Sequence, residues 1–465
     1  MCFIIVLTIT LSSAMADERS DALRAAKQAT RFLTDSVSTE GGYLWRYSSD
    51  LSLREGEGVI KTETVWTQPP GTPSVGEAFV RLYRATGDQQ FLDAAMVAAE
   101  SLRRGQMRSG GWQAQVEFEP SLRKKWAYRV DPARPKAKDQ SSLDDDKTQS
   151  ALRFLIQLDQ ASEFKHDAIH EMTTYALHGL IQQGQFPNGG FPQVYPVSSD
   201  KPVSTTAATA RYPSTWPREY PGHREYWYQY TLNDNLATDL MKVFFLAHDV
   251  YQDDQYQAAA LRLADSLLIA QMPAPQPAWA QQYNQDMEPI WARKFEPPAI
   301  SGGESQSVIE TLMAVYQRTG EKKYLDAVEP ALDYLQKSEL PDGRLARFYE
   351  LKTNRPLYFT QEYELTYSDA DCPTHYGFQV GSRVDSLRSR YERLRKDTWK
   401  ASKRPSAARS AAPTSTEVAK IVGDLDHRGA WVTNNGLRYH RYQGAVIEMQ
   451  VAVDNLNSLA AFLAE

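Results

Sequence analysis

The chain is expected to be all-α, an (α/α) toroid of helical hairpins with a few short strands, and three observations lead there. A helix–corner–helix phrase recurs: Val80-Arg81-Leu82-Tyr83-Arg84-Ala85-Thr86-Gly87-Asp88 before Phe91-Leu92-Asp93-Ala94-Ala95 returns as Val315 to Glu321 before Tyr324 to Val328. A weaker copy joins His248-Asp249-Val250-Tyr251 to Tyr256-Gln257-Ala258-Ala259. A Gly-Gly-aromatic corner also recurs after helical segments, at Gly41-Gly42-Tyr43, Gly110-Gly111-Trp112 and Gly189-Gly190-Phe191. Repetition on this scale marks a stack of similar units, each too small to bury its own apolar face. Strand patterns are few and short.

Each element follows from local rules. One helix ends at a Gly or polar corner and a second begins within a few residues, giving αα-hairpins. Gln185-Phe186-Pro187-Asn188-Gly189-Gly190-Phe191-Pro192-Gln193-Val194-Tyr195-Pro196 cannot continue a helix, so it is an ordered turn between two of them. Its aromatic rings suit either a sugar platform or a rigid corner. Residues Arg347 to Leu351 and Leu357 to Glu364 read as strands, and Ala430 to Arg441 as a hairpin around Asn434-Asn435-Gly436. Pro202 to Tyr220 is an irregular insertion. Residues 396–420, rich in Lys, Arg, Ala, Ser and Pro, read as a linker or long loop. The hairpin domain is therefore expected over 17–395, and 421–465 as a hairpin and a helix (Ala445 to Leu463) packing back on it.

Residues 1–16 read as a secretory signal, with an apolar run from Cys2 to Leu11 and a cut after Ala16, although no Lys or Arg precedes the run. The expected location is secreted or periplasmic. If Cys2 leaves with that segment, Cys372 is the sole cysteine and no internal disulfide forms. No other apolar run is long enough for a membrane. A net charge of −6 with no basic footprint disfavours a nucleic-acid role. The chain is expected to be a monomer.

Three polar clusters sit at helix edges. Ser141-Ser142-Leu143-Asp144-Asp145-Asp146-Lys147-Thr148 opens one helix, and Thr231-Leu232-Asn233-Asp234-Asn235 opens another. Acidic residues at helix starts commonly serve as caps complementing the dipole. The third, Trp291-Ala292-Arg293-Lys294-Phe295-Glu296-Pro297-Pro298, is a basic-aromatic turn before a helix near Glu304, and its Arg has a Glu within reach.

In their order and spacing, these blocks resemble the family 10 polysaccharide lyases, the pectic acid lyases. The resemblance runs from Ser141 to about Asn354. It rests on Ser142-Leu143-Asp144 before Thr148 and Leu152-Arg153-Phe154-Leu155, on Pro187 to Pro196, and on Leu232-Asn233-Asp234-Asn235. It continues through Ala292 to Pro298, Glu304-Ser305, Ala346-Arg347-Phe348-Tyr349-Glu350 and Thr353-Asn354-Arg355-Pro356. The family fold is a toroid of the kind expected from the repeats.

The resemblance implies Ca²⁺-assisted β-elimination of polygalacturonate (pectate) or a related acidic polysaccharide. Asp144 and Asp234 would hold Ca²⁺ with the substrate carboxylate and water, since hard oxygen ligands suit that ion. Arg293 would take the C5 proton. A guanidinium base needs a depressed pKa, with Lys294 and Arg347 as neighbouring cations to lower it. Arg347 and Arg355 would clamp uronates in bidentate geometry, and Phe191 and Tyr195 would stack on the sugar, with Lys294 among the substrate-binding residues. The alternatives are a glycoside hydrolase using Glu296 with Glu304, or Asp144 with Asp234, and a non-catalytic carbohydrate-binding protein.

The chain departs from the family pattern in places. Asp144-Asp145-Asp146-Lys147 stands where the family usually has Asp-Asn-Gly-Ala, so Asp145 or Asp146 is a further candidate ligand. Gln361, the stretch Asp369 to His375, and Gly41-Gly42-Tyr43-Leu44-Trp45-Arg46 replace segments that are usually more basic or carry Gly-Gly-Trp-Pro-Lys. Fewer cations in the groove imply weaker binding to long, unesterified polygalacturonate, and hence a shorter or modified uronate polymer.

Overall fold

The computed structural model describes residues 3–196, 209–222, 225–396 and 412–465. Helices dominate. They are α1 (Phe3–Phe32), α2 (Thr72–Thr86), α3 (Gln89–Gly105), α4 (Pro120–Arg123), α5 (Lys147–Ala161), α6 (Asp167–Gly179) and α7 (Leu236–Tyr251). There follow α8 (Asp254–Ile269), α9 (Gly302–Thr319), α10 (Lys322–Asp326), α11 (Val328–Lys337), α12 (Val384–Lys396), α13 (Ser415–Gly423) and α14 (Met449–Leu463). The all-α class with few short strands is the one expected.

The chain forms two compact units. One comprises Met1–Ser142, Lys147–Gly179 and Arg409–Glu465, the other Leu143–Asp146 and Leu180–Ala408. In the first, α2 packs on α3, α5 and α14, burying Val75, Phe79 and Leu82 along one face. In the second, α7 packs on α8 and α9, and α11 on α12. The second also holds a four-stranded antiparallel sheet, built from Ala299–Ser301, Phe348–Glu350, Pro356–Phe359 and Leu365–Thr366. Its apolar core gathers Trp291, Phe295, Phe348, Leu357 and Phe359.

The hairpin corners form for the expected reason. Gly87 (φ +69°) and Gly320 (φ +74°) end α2 and α9 in the left-handed region. The Asp88 and Asp253 carboxylates then accept the Gln90 and Gln255 N–H groups to cap α3 and α8. At the Gly-Gly corners the requirement is stricter. Gly189 has φ +94°, and a Cβ there would lie 2.0 Å from the Arg262 carbonyl oxygen. Only glycine fits.

Beneath these corners lies one backbone pattern repeated four times. The carbonyls of Tyr43, Trp112, Phe191 and Trp279 accept the N–H groups of Trp66, Ser142, Thr231 and Ser301, all at 2.8–2.9 Å. The next N–H groups, of Thr67, Leu143, Leu232 and Gly302, are bound by the carbonyls of Ala114, Gln193, Gln281 and Arg347. In three copies a hydroxyl secures the aromatic residue's own N–H: Thr72 for Tyr43, Thr148 for Trp112 and Ser305 for Trp279, at 3.0–3.1 Å. Each copy leads into a helix: α2, α5, α7 or α9.

The structure adds local detail. The described end of the expected linker is helical: α13 opens with a capping box between Thr414 and Glu417, while residues 397–411 lie outside the described residues. The insertion at Pro202 to Tyr220 is described only from residue 209. The strand at Val432–Thr433 pairs with Val446–Glu448 rather than across Asn434-Asn435-Gly436, so the hairpin is wider than expected. Helix α1 runs through the position of the expected cut after Ala16. No helix among the described residues is long and apolar enough to cross a membrane.

Candidate active site

Two of the four repeated turns carry the acidic clusters. Asp144–Asp146 and Asn233–Asn235 each form a single 3-10 turn with a left-handed middle residue: Asp145 at φ 46°, ψ 40°, and Asp234 at φ 50°, ψ 41°. Asp and Asn tolerate this conformation better than most residues because their short polar side chains bond locally. The turns meet in the second unit, where carboxylate oxygens of Asp144, Asp145 and Asp234 lie within 4.8 Å of one another. Neighbouring amides hold them. Gln193 Nε2 donates to Asp144 Oδ1 and Asn233 Nδ2 to Asp234 Oδ2.

Burial, and then the charges of Asp145, Asp144 and Glu304, push the Asp234 carboxyl up to about 7, while Arg293 pulls it down. Three hard oxygen donors forced together in a partly desolvated place fit a divalent cation of the calcium type, which would relieve that repulsion. The candidate metal pair of Asp144 and Asp234 is thus brought together, and Asp145 joins it.

Arg293 is within electrostatic reach of Asp234, whose carboxyl pKa it lowers. It is held by a neighbour three residues on. Glu296 accepts from the Arg293 backbone N–H at 3.0 Å, from Nε at 2.8 Å and from Nη2 at 2.5 Å. Desolvation by itself would lower the guanidinium pKa, but the hydrogen bonds and charge of Glu296 outweigh it and raise the pKa above its ordinary value. This is the reverse of the depression a proton acceptor needs. The expected cationic neighbour is also elsewhere: Lys294 places Nζ 3.3 Å from the centre of the Tyr363 ring.

Arg347 does approach. The Tyr376 ring centre is 4.7 Å from its guanidinium and 5.6 Å from that of Arg293, and the Tyr376 hydroxyl donates to Glu296 at 3.1 Å. Arg347 Nε also donates to the Gly377 carbonyl. Arg355 belongs to a separate exposed cluster, stacked 3.3 Å over Tyr367, whose hydroxyl bonds Glu350 beside Arg218.

Two expected stacking residues are corrected. Phe191 is 1% exposed and packs on Phe244, and Tyr195 is 0% exposed, so neither presents a face to a sugar. The corner that carries them needs its rings to fill the space behind the turn. The aromatic residues at the site are others. Tyr226 feels the charges of Arg293, Glu296 and Asp144, and burial pushes it up to about 12. Tyr226 and Tyr376 fall in stretches with no periodic signal, and sequence reasoning missed both. It also missed Gln193, although the repeat register would have found it as the residue closing the Asp144 turn.

Of the two carboxyl pairs of the hydrolase alternative, Glu296 and Glu304 are occupied. Glu296 is buried and bound by Arg293 and Tyr376. Glu304 is buried at the start of α9, where it accepts the Ser301 hydroxyl.

The family model described as pectic acid lyase matches residues 106–210, 206–315 and 309–372, more than half of the chain. No curated protein matches it significantly. Among solved structures, a variant of a family 10 polysaccharide lyase from Cellvibrio cellulosa, in complex with a trigalacturonic acid, is 19% identical over 64% of this chain and 92% of that one, with a TM-score of 0.47. A D-mannose isomerase is 15% identical over 95% and 96%, with a TM-score of 0.45. A glycoside hydrolase family 76 mannosidase from Bacteroides thetaiotaomicron is 12% identical over 97% and 98%, with a TM-score of 0.44.

Proposed function

Because the chain belongs to the pectic acid lyase family, we propose that it is a secreted, calcium-dependent lyase that cleaves polygalacturonate or a related uronate polymer by β-elimination. The observation that carries this reading is the meeting of Asp144, Asp145 and Asp234 beside the Arg293 guanidinium. When bound, calcium supplies a Lewis acid that draws charge from the uronate carboxylate and so acidifies the C5 proton. The chain's residues do the rest. Gln193 and Asn233 fix one oxygen each of Asp144 and Asp234 and so orient both carboxylates. Arg347 and Arg355 bind uronate carboxylates, with Arg347 next to the reacting sugar because it shares Tyr376 with Arg293.

The family role for Arg293 is acceptor of the C5 proton, after which the C4–O4 bond breaks and a 4,5-unsaturated end remains. Glu296 makes that demanding. Its hydrogen bonds and charge hold the guanidinium proton, so turnover through a neutral Arg293 needs alkaline conditions. The bidentate pair favours a second reading, in which Arg293 stays charged and stabilises the carbanion's developing negative charge, a solvent hydroxide takes the C5 proton, and the departing O4 is protonated by water.

The test is product formation on a uronate panel, with and without chelator. Lyase action gives chelator-sensitive ultraviolet absorbance from the conjugated unsaturated sugar. Reducing ends without absorbance would indicate hydrolysis, and neither signal a binding protein. Arg293→Lys separates the two roles: a charge stabiliser keeps measurable turnover as Lys, whereas a proton acceptor held in guanidine geometry loses it as fully as Arg293→Ala.

A further inference from the structure

The second unit holds a pocket of about 440 Å³ that the elimination chemistry leaves unused. Its volume is at the lower end of the roughly 300–1,000 Å³ of small-ligand sites, which suits one sugar unit rather than a length of polymer. One wall is the described part of the irregular insertion, and the other is the chain from Asn284 to Pro298, which includes the Arg293 turn. Trp291 ties the two together. Its Nε1 donates to the Pro217 carbonyl at 2.9 Å, and the rings of Trp216 and Tyr220 pack on it at 6.4 and 5.7 Å. Several prolines complete the lining, and their fixed φ stiffens the walls, so little order has to be gained on binding. Tyr226 joins the pocket to the candidate site: the same side chain lines the one and feels the charges of Arg293, Glu296 and Asp144 in the other.

Charge decides what such a pocket can take. Among the described residues that line it there is no Lys, Arg or His, and the one charged side chain is Glu288. Arg211 pairs with Glu288 at 3.0 Å from outside the lining. Arg218, stacked 4.7 Å from the Trp216 ring, is paired with Glu350 instead. A uronate carboxylate placed here would give up water, find no cation and meet a like charge. An uncharged pyranose meets none of these costs. Its C–H faces can lie on the part-exposed rings of Trp216 and Tyr226, and its hydroxyls can bond Gln229, Asn284 and Glu288. We propose that this pocket binds an uncharged sugar unit, a methyl-esterified uronate or a neutral sugar, next to the uronate at which the chain is cut; the inference rests on the lyase reading. The substrate is then a mixed polymer, with charged and uncharged units close together.

The full chain, in calcium, is assayed for unsaturated product on three oligomers: fully de-esterified galacturonate, partly methyl-esterified galacturonate, and galacturonate alternating with a neutral sugar. One of the last two should exceed the first in kcat/KM by about tenfold, and which one does names the source of the uncharged unit. Glu288→Lys places a cation in the lining and should cut that preference about tenfold. Trp216→Ala removes a stacking face and should cut it by a similar factor, about tenfold. A de-esterified oligomer cleaved as well as or better than the others, or a preference that neither variant reduces, would overturn the pocket and leave the lyase reading standing. If no oligomer gives unsaturated product, the lyase reading falls and calorimetric binding of the same three decides on the pocket. Tighter binding of an oligomer with uncharged units, weakened by Glu288→Lys, would support it, and equal binding of all three would overturn it.

Discussion

The pH dependence of stability in chelator reads Asp234 directly. Its carboxyl is held at about 7 against an ordinary 3.8, first by burial and then by Asp145, Asp144 and Glu304. The folded chain therefore binds this proton more tightly than the unfolded chain. Below about pH 4 both states are protonated and Asp234 contributes nothing; from there to about pH 7 only the folded state keeps the proton, so stability falls as pH rises. A shift of roughly 3 units corresponds to at most about 4 kcal/mol lost over that window, and partial solvent access makes the measured value smaller. Calcium reverses the trend. It replaces the proton, so its apparent affinity rises about tenfold per pH unit up to about pH 7. Urea midpoints measured from about pH 4 to about pH 8, in chelator and in calcium, should diverge with rising pH. Asp234→Asn should flatten the chelator curve relative to the unaltered chain. Parallel curves for the two proteins would refute the crowding of the three carboxylates.

Three other perturbations follow. Glu296→Gln removes the partner of Arg293, whose side chain is 42% exposed. The stability loss should be about 1–2 kcal/mol rather than that of a fully buried pair, and if Arg293 accepts the proton, the pH–rate profile should move to lower pH. Arg347→Ala should raise KM for oligouronates about tenfold with kcat changed less, as expected for a group that binds carboxylate in ground and transition states alike. Gly189→Ala forces a Cβ to 2.0 Å from the Arg262 carbonyl at φ +94° and should cost roughly 3 kcal/mol or more in urea unfolding. The control Gly87→Ala, at φ +69° with open space around it, should cost only about 1–2 kcal/mol.

The hairpins were readable because their punctuation is local: Gly87 with Asp88, and Gly320 with the residues after it, work through their own backbone. The convergence of Asp144 and Asp234 came from the family resemblance, whereas the equivalence of Asp145 with Asp234 was open to anyone aligning the two turns residue by residue. The pairing of Arg293 with a Glu was one of two readings left open for its turn. Glu296 lies three positions away in a non-helical turn, and whether such a pair closes depends on how deeply the carboxylate is buried. Lys294, one residue on, turned to Tyr363 for the same reason of local packing. Phe191 and Tyr195 show the limit of composition: an aromatic residue in a Gly/Pro corner reads alike whether it lines a groove or fills the space behind it.

The four corners share the same pair of main-chain hydrogen bonds, while the residues that follow differ: Pro69-Pro70 in one copy, left-handed Asp145-Asp146 and Asp234-Asn235 in two others, and a direct entry into α9 at Gly302 in the fourth. The bonds beneath thus tolerate different turns above them. A handful of substitutions at those sockets would suffice to assemble an ion-binding centre in a related chain or to erase one, while every hairpin stays in place.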